Sequence, residues 1–160
     1  MTNTNEQESI NKIHERISEL ENVRALRELV DTFSLLADQK DVQKQSLLFT
    51  ENATVDSYIN GQLTSSLKGT KEIGEAFQNF LNLFETVYHM NGQHKVSING
   101  NNAVGTLYCL VDLISSEDGK KIKNSSAVQY NDKYIYENGK WLITKRTSMF
   151  VWQDRKELNQ

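Results

Sequence analysis

Apolar residues recur every three or four places at the start of the chain. Ile10, Ile13, Ile17 and Leu20 form the stripe of an amphipathic helix, and Val23, Leu26, Val30, Phe33 and Ala37 form a second. No proline or glycine separates the stripes, so they belong to one long helix or to two that bend near Glu21-Asn22. The pattern stops at Asp38, and Asp41 is placed to cap a short helix over residues 42–49. Residues 53–59 and 62–68 then read as two short strands around the hairpin signal Asn60-Gly61. Thr70 is a predicted N-cap, with Glu72 in the first turn and Ile73, Ala76, Phe77, Phe80, Leu81 and Phe84 as the apolar face behind it. From Thr86 onward helical periodicity disappears. Residues 86–98, 103–115, 122–137 and 140–152 read as four long strands joined by short turns, which requires antiparallel pairing. Helices first and a meander afterwards is an α+β layout.

Composition narrows this picture. One domain is expected for 160 residues, placed at 10–155 between flexible ends at 1–9 and 156–160. Eighteen Lys+Arg against 21 Asp+Glu give a net charge of −3 with no basic cluster, so nucleic acid is not the expected partner. A membrane-spanning helix needs about 20 consecutive apolar residues. Charges or amides interrupt every apolar stretch, so no membrane is expected either. The opening MTNTNEQESI lacks the basic and apolar regions of a signal peptide, which makes the cytoplasm the expected compartment. There is no proline, and the glycines form no phosphate-binding motif. The single cysteine, Cys109, has no neighbour that would activate it and reads as a packed thiol.

Several pieces in a fixed order carry a resemblance. They are Leu48-Phe49-Thr50 before the first strand, the Asn60-Gly61 turn, the helix start around Gly69-Thr70, and His89 early in the first long strand. Asn99 to Gly105 follow, and last comes Tyr130-x-Asp132 leading to Asn138-Gly139-Lys140-Trp141. Over residues 17–152 the chain resembles the SnoaL-like branch of the nuclear transport factor 2-like superfamily. The resemblance implies a cone-shaped α+β barrel, a curved antiparallel sheet wrapped over N-terminal helices, with one apolar pocket. It implies a homodimer or other small homo-oligomer. The family's activities include dehydration, isomerisation, aldol cyclisation and epoxide hydrolysis, so the fold does not fix the reaction. Its dehydratases face an aspartate at the end of the long helix with a histidine on the first long strand, and Asp38 and His89 occupy those positions. The chain departs from them at Phe33 and Ala37, where they carry a tyrosine, and at Phe150, where one carries an arginine.

The residues themselves give the following. Asp38 sits at the edge of the apolar stripe and either faces the pocket or caps the turn before Asp41. Strand alternation puts Val87, His89 and Asn91 on one face and Tyr88 and Met90 on the other. An aspartate against an imidazole fixes the tautomer and supports proton transfer, so Asp38 and His89 are the candidate catalytic pair. Tyr58, Tyr108 and Tyr130 are expected to line the barrel and offer hydroxyls to a substrate. Phe33, Phe77 and Phe150, with Phe80, Phe84, Met90, Met149 and Trp152, are expected to make the pocket apolar. Arg146 points either inside or out. His14 and His94 read as solvent-facing, and no metal or cofactor is expected from such dispersed histidines. The leading expectation is a lyase or isomerase acting without a cofactor on a small apolar molecule, perpetually set against two rivals: a binding module without chemistry, and an interaction domain whose open sheet face is covered by another subunit.

Overall fold

The computed structural model describes residues 2–158, and side chains from residue 5. Residues 1 and 159–160, in the stretches expected to be flexible, lie outside the described residues. Helix α1 (Thr2–Asp38) is one unbroken element, so both apolar stripes share one rod. Its end is built by the backbone. Lys40 takes φ 55, Lys40 N–H donates to Ala37 O at 3.0 Å and Asp41 N–H to Leu36 O at 2.9 Å. Those paired bonds satisfy the last carbonyls of the helix, with lysine in the left-handed position that glycine usually fills. Helix α2 (Val42–Ser46) is shorter than the sequence predicts, because Phe49 already belongs to a strand. Asp41 does cap it, its carboxylate accepting Lys44 N–H at 3.2 Å.

Strands β1 (Phe49–Ile59) and β2 (Gln62–Lys68) form the expected hairpin. Asn60 and Gly61 have φ 52 and 75, the double left-handed turn that suits strand twist. Helix α3 (Thr70–Leu81) is capped differently from the expectation: Gly69 is the N-cap, at φ 83, and Thr70 is the first helical residue. The Glu72 carboxylate closes this turn by accepting Lys68 N–H at 2.8 Å.

Strands β3 (Thr86–Asn99), β4 (Asn102–Glu117), β5 (Lys120–Glu137) and β6 (Lys140–Glu157) make the antiparallel meander. The single sheet has the order β2-β1-β6-β5-β4-β3, with β1 and β6 pairing in parallel. That makes the sheet mixed, with β2 and β3 as its edges, and it curves over α1 and α3 as a cone. Edge-to-face contacts among Phe33, Phe49 and Phe77, with centroids 6.0–6.2 Å apart, tie α1, β1 and α3 together. Leu26, Val30, Ile73, Leu107 and Ile143 are fully buried around them. No helix among the described residues is long and apolar enough to cross a membrane.

Candidate active site

Helix α1 lies along β3 through a row of polar contacts beside its apolar stripe. Arg27 donates to Gly92 O at 2.8 Å and to the Asp31 carboxylate at 2.7 Å. Asp31 in turn accepts Asn91 Nδ2–H at 2.8 Å, and Ser34 donates to Asn91 Oδ1 at 3.1 Å. Asp38 ends the row. Its carboxylate accepts His89 backbone N–H at 3.0 Å and meets the ring at 2.7 Å through Nδ1. The imidazole is 8% exposed and the carboxylate 21%, so the pair sits on the inner wall and keeps one edge toward solvent. Asp38 therefore faces the sheet and does not cap the turn before Asp41. The strand alternation around His89 is as expected, with Val87 buried and Tyr88 and Met90 more than half exposed.

Deeper in the cone a second charged pair is closed off from water. Arg146 donates from Nε to Asp132 Oδ1 at 2.9 Å and from NH2 to Oδ2 at 2.6 Å. The guanidinium is stacked between the rings of Phe33, at 4.1 Å, and Tyr130, at 4.4 Å. Burial opposes its charge, but Asp132 outweighs burial and holds the guanidinium above its ordinary value. Its NH1 has no hydrogen-bond partner. Tyr134 donates to Asp132 Oδ2 at 2.9 Å, and the His94 ring lies 3.3 Å from the Tyr134 hydroxyl. Burial raises the hydroxyls of Tyr130 and Tyr134, so both stay protonated. Between the two pairs lies Cys109, a thiol pushed up to about 11 by burial and lying within the fields of Arg146 and Asp38.

Phe33, Phe77, Tyr130, Arg146 and Phe150 thus sit on the inner side. Tyr58 and Tyr108 do not. Tyr58 pairs with Met149, Met149 with Gln129 and Gln129 with Tyr108, a row on the outer face of the sheet. The buried neighbours Val55, Leu107 and Cys109 take the inner positions on those strands and alternation sends both tyrosines out. Met90 and Met149 are outward for the same reason, and Trp152 because the register shift between Ala127 and Val128 breaks the alternation from Phe150, all at 42–55% exposure. His94 is half-buried against Tyr134, contrary to the solvent-facing expectation. Asp132 and Tyr134 were not among the expected site residues. Two surface depressions lie away from Asp38 and His89, the first lined in part by Asp132. One of about 420 Å³ includes Lys95, Lys133 and Lys145, and one of about 820 Å³ lies between α1 and Trp141.

A curved α+β sheet wrapped over a long helix, with an imidazole–carboxylate contact joining the helix end to β3, is the nuclear transport factor 2-like fold. The chain belongs to the SnoaL-like domain family, whose profile matches residues 18–147. Solved structures agree on the fold. A candidate scytalone dehydratase from Novosphingobium aromaticivorans superposes with a TM-score of 0.78 at 16% identity, over 90% of this chain and 93% of that one. A hexachlorocyclohexane dehydrochlorinase, LinA type 3 from Novosphingobium barchaimii, gives 0.74 at 14% identity, over 89% and 94%. A candidate aromatic ring hydroxylase from Novosphingobium aromaticivorans gives 0.74 at 20% identity, over 87% and 94%. No curated relative matches the chain by sequence.

Proposed function

We propose that this pocket protein is a lyase or isomerase that works without a cofactor on an apolar, ring-shaped molecule. The observation that carries the reading is the 2.7 Å contact between Asp38 Oδ1 and His89 Nδ1. The backbone N–H of His89 holds the same carboxylate, so Asp38 is fixed as an acceptor and Nδ1 as the donor. Nε2 then carries the lone pair and is the base. It takes a proton from a carbon next to a carbonyl or a leaving group, and Asp38 stabilises the imidazolium. In a lyase the leaving group departs with the bonding electrons and the imidazolium returns the proton to it. In an isomerase the proton returns to another carbon. With Tyr58 and Tyr108 outside the cone, and Arg146 closed in between the rings of Phe33 and Tyr130, the Tyr130 hydroxyl is the remaining donor for a substrate oxygen or a departing anion. Phe33, Phe77 and Phe150 are the apolar walls. Dehydratase and dehydrochlorinase names among the structural neighbours support this class of reaction.

The test is a turnover screen of cyclic β-hydroxy ketones and chlorinated rings, read by the absorbance of the new double bond. With a turned-over compound in hand, His89→Ala should lower kcat by about 10²–10⁴ with the thermal melt retained. Unchanged turnover would remove His89 from the mechanism. One observation favours a second role, homo-oligomer formation through the sheet. Tyr88, Met90, Tyr108, Leu110, Val151 and Trp152 leave an apolar outer face 49–64% exposed.

A further inference from the structure

The two apolar stripes of α1 face different ways. At about 100° per residue, the stripe of Ile10, Ile13, Ile17 and Leu20 points roughly 150° away from that of Leu26, Val30, Phe33 and Ala37. The second stripe is buried in the core. The first is open, with Ile10 40%, Ile13 53%, Ile17 47% and Leu20 69% exposed. Among the described residues the first hydrogen bond from the body to α1 is at Asn22, which accepts the indole N–H of Trp141 at 2.8 Å, and residues 5–21 are all exposed. A lone helix of that length is marginal in water. Its rotation keeps the first stripe from joining the core of its own chain.

We propose that two copies pair through this stripe as a short parallel coiled coil. The 3-4-3 spacing puts Ile10 and Ile17 at heptad position a and Ile13 and Leu20 at d, and the Ile17–Leu20 step has the Ile-at-a, Leu-at-d pattern that favours two strands. Charge selects the orientation. In the parallel pair, Arg16 of each copy flanks Glu21 of the other, giving two complementary contacts. The antiparallel pair brings Arg16 to Arg16 and His14 to His14. Continued one heptad further, the seam would need Arg24 and Arg27, which are held within their own chain by Glu28, Asp31 and Gly92 O. The seam therefore ends where each helix meets its own sheet. A membrane is the poorer occupant, because Glu6, Glu8, Glu15, Glu19 and Glu21 outnumber Lys12 and Arg16 and are repelled by anionic lipid.

The test uses the full chain. In the parallel pair residue 17 faces its own counterpart, so Ile17→Cys should oxidise to a covalent dimer, while the parent, with only the buried Cys109, should not. Ile13→Glu/Leu20→Glu lies outside the core and should melt like the parent, yet lose one association step in sedimentation equilibrium and halve the molar mass. Arg16→Glu should weaken pairing roughly fivefold, and adding Glu21→Arg should restore it. Absence of the Ile17→Cys dimer together with an unchanged mass for the double variant overturns the proposal. So does preferential cross-linking between Ile13→Cys and Ile17→Cys chains, the antiparallel signature. Co-sedimentation of a monomeric chain with phosphatidylcholine/phosphatidylserine vesicles overturns it in favour of a lipid surface.

Discussion

Asp132→Ala is expected to remove about 4 kcal/mol of stability, because it strands a charge that water cannot reach. The side chains of Arg146 and Asp132 are 1% and 0% exposed, and two charge-assisted hydrogen bonds of 2.9 and 2.6 Å join them. Bonds to charged groups contribute about 1.5–3 kcal/mol each, so the two account for about 3–6. Breaking a buried pair from one side costs about 3–5 kcal/mol. The ranges meet near 4. The assay is urea unfolding at one fixed protein concentration, since association would shift the midpoint. With a slope of about 2 kcal/mol/M for a chain of this size, the midpoint should fall by about 2 M.

The companion variant is Asp132→Ala/Arg146→Met. It leaves no buried charge, and methionine fills the slot between the Phe33 and Tyr130 rings. Most of the loss should return, leaving the double variant within about 1.5 kcal/mol of the parent. Asp132→Asn, which keeps an acceptor for Arg146 without the charge, should fall between. A loss below about 1 kcal/mol for Asp132→Ala, or a double variant no better than the single, would refute the stranded-charge argument.

Gly105→Ala should cost about 1–3 kcal/mol, because a Cβ there would sit 3.0 Å from Tyr134 and Val96 and 3.2 Å from the His94 ring. An unchanged melt would show that these side chains give way freely. Burial lowers the basicity of His94 below its ordinary 6.5, so the fold holds it neutral while the unfolded chain takes up a proton. That contribution is present above pH 6.5 and is lost as the pH falls below it. The urea midpoint should drop between pH 7 and 5, and His94→Gln should flatten the drop. An equal slope in both chains would remove His94 as its source. Cys109, raised to about 11 and 3% exposed, should resist a thiol reagent at pH 8 until urea unfolds the chain. Prompt labelling of the native protein would contradict the packing.

The elements are legible because their periods are clean, and a bulge breaks the period at Arg146, whose direction the pattern leaves open, and at His94. A strict alternation from the buried Trp141 puts Lys145 inside and Arg146 outside. The register shift between Lys133 and Tyr134 moves Asp132 opposite Arg146 and turns the guanidinium inward. The shift between Asn91 and His94 does the same on β3 and brings His94 against Tyr134. No residue type announces the bulge in β6, whereas Gly92 lies inside the one in β3, where an isolated glycine in a strand is a bulge signal. Tyr58 and Tyr108 are a different case, since the alternation that buries Val55, Leu107 and Cys109 already sends them out. The parallel pairing of β1 with β6 has no local signal, because β1 and its partner are separated by most of the chain.

The contact of Asp38 with His89 was suggested by matching positions, and the fold gives it a cause. Arg27, Asp31, Ser34 and Asp38 follow one another at helical spacing, and their partners Gly92, Asn91 and His89 run back along β3. One polar row therefore fixes the helix against the strand, and Asp38 has a structural task whether or not a substrate ever binds. The two tasks use different atoms of its partner. The latch is the backbone N–H of His89, which an amide oxygen also accepts. The chemistry is the ring, whose tautomer and positive charge need a carboxylate. Asp38→Asn should keep the latch, losing less than about 1 kcal/mol of stability, and lose turnover. Asp38→Ala should lose both. Equal turnover in the parent and Asp38→Asn would leave Asp38 as a latch alone.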